Sequence, residues 1–131
     1  MSFLSISSLD FNMGFSVSLE VERSEGIGIY GPSGCGKSRF LRALVDLEPS
    51  EGQVSLDGVS RESFSPPAWR KSISLVPAQS QWWGKVGEHF SEESLRSFGQ
   101  LKLSESMADD DSNALSSGEK QRLAVLRAVQ Q

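Results

Sequence analysis

Gly31-Pro32-Ser33-Gly34-Cys35-Gly36-Lys37-Ser38 is a complete G-x-x-x-x-G-K-[ST] pattern, and the fold follows from reading it. A glycine-rich turn of this kind points several backbone N–H groups inward at a phosphate chain. The lysine neutralises the β- and γ-phosphates, and the serine hydroxyl is suited to Mg²⁺. Upstream, Ile27-Gly28-Ile29-Tyr30 is a short apolar run that suits a buried strand. Downstream, Phe40, Leu41, Leu44, Val45 and Leu47 recur at helical spacing with Ala43 among them. Strand, glycine loop and helix in that order are what the motif requires, and the helix start adds partial positive charge where phosphate would lie. Gly31, Ser33, Gly34, Cys35, Gly36, Lys37, Ser38 and the following Arg39 are therefore candidate nucleotide-binding residues.

The rest of the chain fits around this loop. Its 131 residues have the size of one modest domain, and 13 basic against 17 acidic side chains leave a net charge of -4. No broad basic surface advertises a nucleic-acid partner, so phosphate binding here is local. One cysteine excludes an internal disulfide and fits a reducing compartment. The N-terminus shows no basic stretch followed by an apolar one, so no secretory signal is expected. No apolar run approaches the roughly 20 residues of a membrane span.

Phe15, Val17, Leu19 and Val21 alternate with Ser16, Ser18 and Glu20, which predicts a half-buried strand. Ser24-Glu25-Gly26 predicts a turn. Gln53-Val54-Ser55-Leu56-Asp57-Gly58 predicts a short strand ending in a turn, Ser65-Pro66-Pro67 a loop, and Ile73-Ser74-Leu75-Val76-Pro77 a second core strand. From Val86 onward the pattern is helical and polar, with Asp109-Asp110-Asp111 as a solvated connection in preference to a metal site.

Leu115-Ser116-Ser117-Gly118-Glu119-Lys120-Gln121-Arg122 closely resembles the LSGGQ signature of ATP-binding cassette (ABC) ATPases, and Leu123-Ala124-Val125-Leu126-Arg127-Ala128 resembles that family's signature helix. Val76-Pro77-Ala78-Gln79 resembles the family's Q-loop, with Gln79 42 residues beyond Lys37, and Ser50 to Gly58 resembles the stretch after the first helix. The resemblance covers nearly the whole chain in the correct order. It implies an α/β fold: a P-loop NTPase core of ABC type with an N-terminal antiparallel β subdomain and a helical signature subdomain. Residues 1–79 would hold the β subdomain and the core through the Q-loop, and residues 80–131 the helical subdomain.

The resemblance also implies roles. Two cassettes would stack head to tail, with Ser116 and the backbone around Gly118 meeting the γ-phosphate of the partner's nucleotide. Lys37 would hold phosphate, Ser38 and Gln79 Mg²⁺, and Gln79 the attacking water as well. The segment also reads as an ordinary capped helix, with Glu119 three residues after Ser116, and both readings hold together. ATP and Mg²⁺ are the implied cofactors. A second ABC ATPase subunit and a transmembrane permease are the implied partners, which would place the chain at the inner face of the membrane. Trp82 and Trp83 follow the Q-loop, where relatives contact the permease, and read equally as packing residues.

Four features depart from the family pattern. Ser117 replaces the first signature glycine, Glu119 replaces glutamine, Arg39 stands where a hydroxyl residue is usual, and Met13 occupies the slot of the aromatic that stacks on adenine. Phe11 and Phe15 are the nearest aromatics, with Phe11 the candidate for adenine. No apolar run ending in Asp-Glu follows the signature before Gln131, and the one histidine, His89, precedes the signature and is expected on a helix surface. The expectation is a truncated chain whose C-terminal strands are missing. Its central sheet would then be left with a gap, exposed apolar faces and poor stability, and the chain itself would be nearly inactive. A non-transport ABC protein and a non-hydrolysing nucleotide-binding module stand as alternatives; the 37 residues from Gln79 to Ser116 exclude the long coiled-coil members.

Overall fold

Residues 2–130 are described by the computed structural model, and they fall into two units, one ending at Leu75 and the other starting at Val76. The first unit is built on four antiparallel strands: β1 (Leu4–Asp10), β2 (Ser16–Val21), β3 (Glu51–Leu56) and β4 (Val59–Ser60), in the order β2-β1-β3-β4. In β2, Val17, Leu19 and Val21 are half-buried and their neighbours exposed, as the alternation predicts.

β1 is less legible because its alternation changes phase. Leu4 and Ile6 share one parity, Leu9 and Phe11 the other, yet Ile6, Leu9 and Phe11 are all buried. A β-bulge reconciles them: the register shifts between Ile6 and Leu9 toward β2 and between Ser7 and Asp10 toward β3. Ser8 takes φ 51° at this point, and its N–H donates to Ser18 Oγ at 2.8 Å. Gly52, at φ 106°, lies so close to the bulge that a Cβ there would strike the Ser8 carbonyl. Asp57 and Gly58, both left-handed, make the tight turn between β3 and β4.

α1 (Lys37–Leu44) follows the glycine loop and buries Phe40, Ala43 and Leu44. With Ile6, Leu9, Phe11, Val54 and Trp69 these form the core of the first unit, each large side chain contributing about 1.5–3 kcal/mol by leaving water. Leu41 and Leu47 recur at the right spacing but lie outside this face, 38% and 53% exposed. Ser65-Pro66-Pro67, expected as a loop, instead opens α2 (Pro66–Ser72): Ser65 Oγ accepts from Ala68 N–H, and a proline in the first turn gives up no helical hydrogen bond.

The two core strands expected at 27–30 and 73–77 are not regular strands. A strand exists by its ladder, and the four-stranded sheet includes neither segment. Ile27 and Ile29 are each 45% exposed, and Tyr30 95%.

The second unit contains α3 (Glu92–Arg96), α4 (Ser117–Val129) and several short 3-10 turns around a core of Val86, Phe98, Leu103, Leu115 and Leu123. The acidic run is pinned by backbone: Val86 N–H donates to Asp110 O, and Ser112 N–H to Gly84 O. Asp111 caps the next turn through Asn113 N–H. Among the described residues no helix is long and apolar enough to cross a membrane.

Candidate functional site

The phosphate loop ends in a helix start that no side chain closes. Gly36, the residue before α1, takes φ 105° and ψ 10°, and no side-chain hydrogen bond caps the first turn. Gly34 is also left-handed, at φ 84°. These backbone values favour glycine, and at Gly36 a Cβ would also meet Met13 Cε at 3.2 Å and Phe11 Cε2 at 3.4 Å. Gly31 has no room either, because a Cβ there would lie 2.9 Å from Cys35 Sγ. Cys35 is thus a small packing residue within the loop.

Lys37 arches back over the loop. Its Nζ donates to Gly31 O at 2.6 Å and Pro32 O at 3.0 Å, and lies 3.6 Å from Cys35 Sγ. The ammonium is thereby held at the loop's mouth. Ser38 is exposed on the first turn of α1. A cavity of about 350 Å³ opens here, lined by Met13, Ser33, Gly34, Gly36, Lys37, Ser38 and Arg39. A second, apolar cleft of about 370 Å³, lined among others by Phe15, Val17, Leu19, Ile27 and Ile29, shares Gly36 and Lys37 with the first.

The far end of α1 is fastened by side chains that the sequence reading did not single out. Arg61 Nη1 donates to Ala43 O at 3.0 Å, and the buried Trp69 Nε1 donates to Leu44 O at 2.9 Å. Trp69 thereby satisfies a carbonyl that the helix end leaves without a backbone partner, while Arg61 adds to one that already accepts from Asp46 N–H at 3.2 Å. These contacts span 18 and 25 residues, so no local signal announces them. Glu48 accepts from Arg39 Nε at 3.0 Å and pairs with Arg42 Nη2 at 2.7 Å. The Arg39 hydrogen bond, then that of Arg42, holds the Glu48 carboxyl below its ordinary value.

Two expected ligand residues are placed differently. Phe11 is 1% exposed, packed against Phe15 and Phe40 with ring centroids 5.6 and 5.8 Å away. An enclosed ring offers no face to a base, so Phe11 is a core residue. Arg39 does line the cavity, but its guanidinium is engaged by Glu48 and by Met13 Sδ at 3.2 Å.

The second unit carries the other residues. Gln79 is exposed in an irregular segment. Ser116 caps α4 in a reciprocal box: its Oγ accepts from Glu119 N–H at 3.2 Å, and Glu119 Oε1 accepts from Ser116 N–H at 2.8 Å. The bond from the Ser116 backbone lowers the Glu119 carboxyl below its ordinary value, with the Ser116 side chain and the Arg122 charge adding to it. Ser117 and Gly118 lie inside α4 without positive φ, so serine in the glycine slot strains nothing.

His89 is not on a helix surface. It ends a 3-10 turn (Val86–His89) with its ring 4.9 Å from Trp82 and 4.5 Å from Trp83. Its Nε2 lies 2.8 Å from Trp83 O and its Nδ1 3.3 Å from Arg127 Nη1. Arg127 covers the Trp82 ring at 4.0 Å, and partial burial lowers its pKa. Trp82 therefore packs inside the unit, while Trp83 remains 65% exposed.

Known proteins carry the same pattern. A family model described as ABC transporter matches residues 15–131. The Lactococcin-A transport/processing ATP-binding protein LcnC of Lactococcus lactis subsp. lactis is 27% identical over 155 residues, covering 96% of this chain and 21% of its own length. The LcnC-like lactococcin transport/processing ATP-binding protein of strain IL1403 is also 27% identical, over 156 residues, with the same coverage. The chain thus spans about a fifth of the length of these curated relatives. Among solved structures, a bacterial Atm1-family ABC exporter with ATP bound shares the fold at TM-score 0.79 and 22% identity, over 95% of this chain and 27% of the exporter chain. CbiO1 from Clostridium perfringens, part of the ABC transporter complex cbiONQ, does so at TM-score 0.76 and 18% identity, over 98% and 61%. With the phosphate loop and signature segment inside the matched residues, this α/β chain belongs to the ABC transporter family.

Proposed function

We propose that this chain is the nucleotide-binding part of an ATP-driven membrane transporter. One observation carries the reading: α1 begins with an uncapped turn, and the Lys37 ammonium is held over the loop that leads into it. Such a start binds anions through backbone N–H groups and a fixed cation. Gly34, Gly36 and the Ser33 backbone would cradle the phosphates, Lys37 would neutralise them, and the exposed Ser38 hydroxyl suits a hard cation. Mg²⁺, when bound, offsets phosphate charge, and Ser38 and Gln79 are the residues proposed to hold it.

The remaining roles rest on family membership. Gln79 would orient the attacking water, and Ser116 with the Gly118 backbone would meet the nucleotide of a second cassette stacked head to tail. Residues 1–79 would act as the β subdomain and core, and 80–131 as the helical subdomain. A transmembrane permease is the proposed partner, reached from the cytoplasmic face, with exposed Trp83 as part of that contact. Binding, with little turnover, is what the 131-residue chain should show by itself.

Calorimetric titration of the chain with MgATP tests this. Saturable binding is expected, weakened roughly 30- to 100-fold in Lys37→Ala by the loss of a charged hydrogen-bond donor to phosphate. Absence of saturation at millimolar MgATP, or equal binding by Lys37→Ala, would overturn the reading.

A further inference from the structure

We propose that neutral His89 is the clasp of a pH-sensitive latch that fastens residues 81–83 to α4 and releases them when the imidazole takes up a proton. The cluster lies within the second unit and is independent of nucleotide binding. Arg127, in the last turn of α4, donates from Nη1 to Gln81 O at 3.0 Å and lays its guanidinium 4.0 Å over the Trp82 ring. The same Nη1 lies 3.3 Å from His89 Nδ1, and His89 Nε2 lies 2.8 Å from Trp83 O. Gln130 Nε2 donates to His89 O at 2.8 Å, so the turn that carries the ring is itself tied to the end of the helix. Both tryptophan rings stand edge to face against the imidazole.

These partners dictate the protonation state that the latch needs. A guanidinium has only donors, and a backbone carbonyl only accepts. Nδ1 must therefore be bare and Nε2 must carry the hydrogen, which makes the ring neutral. Histidine is the side chain that ordinarily changes charge between about pH 5 and 8. A proton gained at Nδ1 turns the acceptor into a donor and sets two cations 3.3 Å apart. The pull of the indole faces on a charged ring is the weaker effect at a partly exposed site. Arg127 cannot retreat without also giving up Gln81 O and the Trp82 face.

No carboxylate offsets the new charge among the described residues. Residues 80–84 carry no titratable group, and Arg127 is the charge that α4 turns to the ring. On the histidine's own turn, Glu88 bends its carboxylate over Gly84 and Lys85 is exposed. Glu92 and Glu93, at the start of α3, are exposed as well, and none of these four pairs with His89. Protons thus bind the released form better than the latched one. The latch holds at high pH and is lost as pH falls, and the exposed Trp83 loses its fixed position with it.

The single histidine of the chain makes the test direct. In the full ¹⁵N-labelled chain, NMR reads the tautomer and charge of His89, and nuclear Overhauser contacts read whether its ring touches Trp82 and Trp83. The Nε2–H tautomer with both contacts is expected at about pH 8. Most of that contact intensity should disappear as the ring is protonated, while the methyl resonances of Leu123, in the core of the same unit, stay in place. His89→Gln cannot titrate and Arg127→Gln removes the opposing cation, so neither should show an acid step at the Trp82 and Trp83 indoles. The Nδ1–H tautomer or missing contacts at high pH, contacts that persist once the ring is charged, or a full acid step in either variant overturns the latch. A step shared by Leu123 is unfolding of the unit and overturns it too. The wild-type readings decide by themselves should a variant fail to fold.

Discussion

The chain contains two helix starts that the sequence assigns to phosphate, and they are built in opposite ways. At α1 the preceding residue is a left-handed glycine, no side chain caps the turn, and a lysine supplies positive charge. At α4 the turn is closed on itself by Ser116 and Glu119, which satisfy each other's backbone N–H groups and bring a carboxylate. An open start has donors to give to a ligand. A closed one has already used two of them and repels anions nearby. Under the proposed function the first is preorganised for phosphate, and the second would have to exchange an internal partner for an external one.

Closing the open start should have the largest effect. Gly36→Ala forces an L-residue to φ 105° and pushes a methyl against Met13 and Phe11. We expect a loss of about 2–3 kcal/mol in stability and no measurable nucleotide binding. Denaturant melts with parallel MgATP titration check this; a variant of wild-type stability and affinity would show that the loop does not need its left-handed turn.

The other end of α1 offers the next contrast. Trp69→Phe retains most of the buried ring but removes the donor to Leu44 O, leaving a buried carbonyl without a partner. A cost of about 1–2 kcal/mol is expected, read as a lower urea midpoint with unchanged slope. Ser116→Ala at the closed start should cost about 1 kcal/mol, the usual value of an N-cap, and show as faster hydrogen exchange in the first turn of α4. If Ser116→Ala proved as damaging as Gly36→Ala, the distinction between the two starts would fail.

Much of this was legible in the chain. The loop, the signature cap and β2 each carry a local pattern, a fixed spacing or a strict alternation, and each is where the pattern places it. What was illegible is non-local. The bulge at Ser7–Ser8 inverts the alternation of β1, so Leu9 and Phe11 look out of phase with Ile6 until the bulge is known. Phe11 looked free to stack on a base because nothing nearby in sequence reveals that Phe40 encloses it from 29 residues away. Arg39 looked available to a phosphate because its partners, Met13 and Glu48, lie in different segments. Ile27–Tyr30 has strand composition but no ladder among the described residues, since composition marks a segment's suitability for pairing and cannot supply the partner.

The smallest expected effect is also the most direct probe of the closed start. Glu119 is held below its ordinary value of 4.5 first by the Ser116 backbone N–H, then by the Ser116 side chain, with the Arg122 charge adding less. A carboxyl whose folded value is depressed contributes stability above its unfolded value and loses it as pH falls through the folded one. The cap should therefore be intact at neutral pH and weaken only below about pH 4.5, as Glu119 takes up its proton. Glu48 should behave alike in the first unit, its depression coming from Arg39 and Arg42. Carboxyl NMR titration can follow the two separately. Glu119→Gln keeps an acceptor for Ser116 but cannot titrate, so the acid-induced loss of α4 protection should flatten in that variant while the Glu48 titration is unmoved. A Glu119 midpoint at or above 4.5 would mean that the box does not hold in solution. The start of α4 would then be held by the Ser116 hydroxyl alone, and the contrast with α1 would narrow to that one cap, the backbone at Gly36 and the charge.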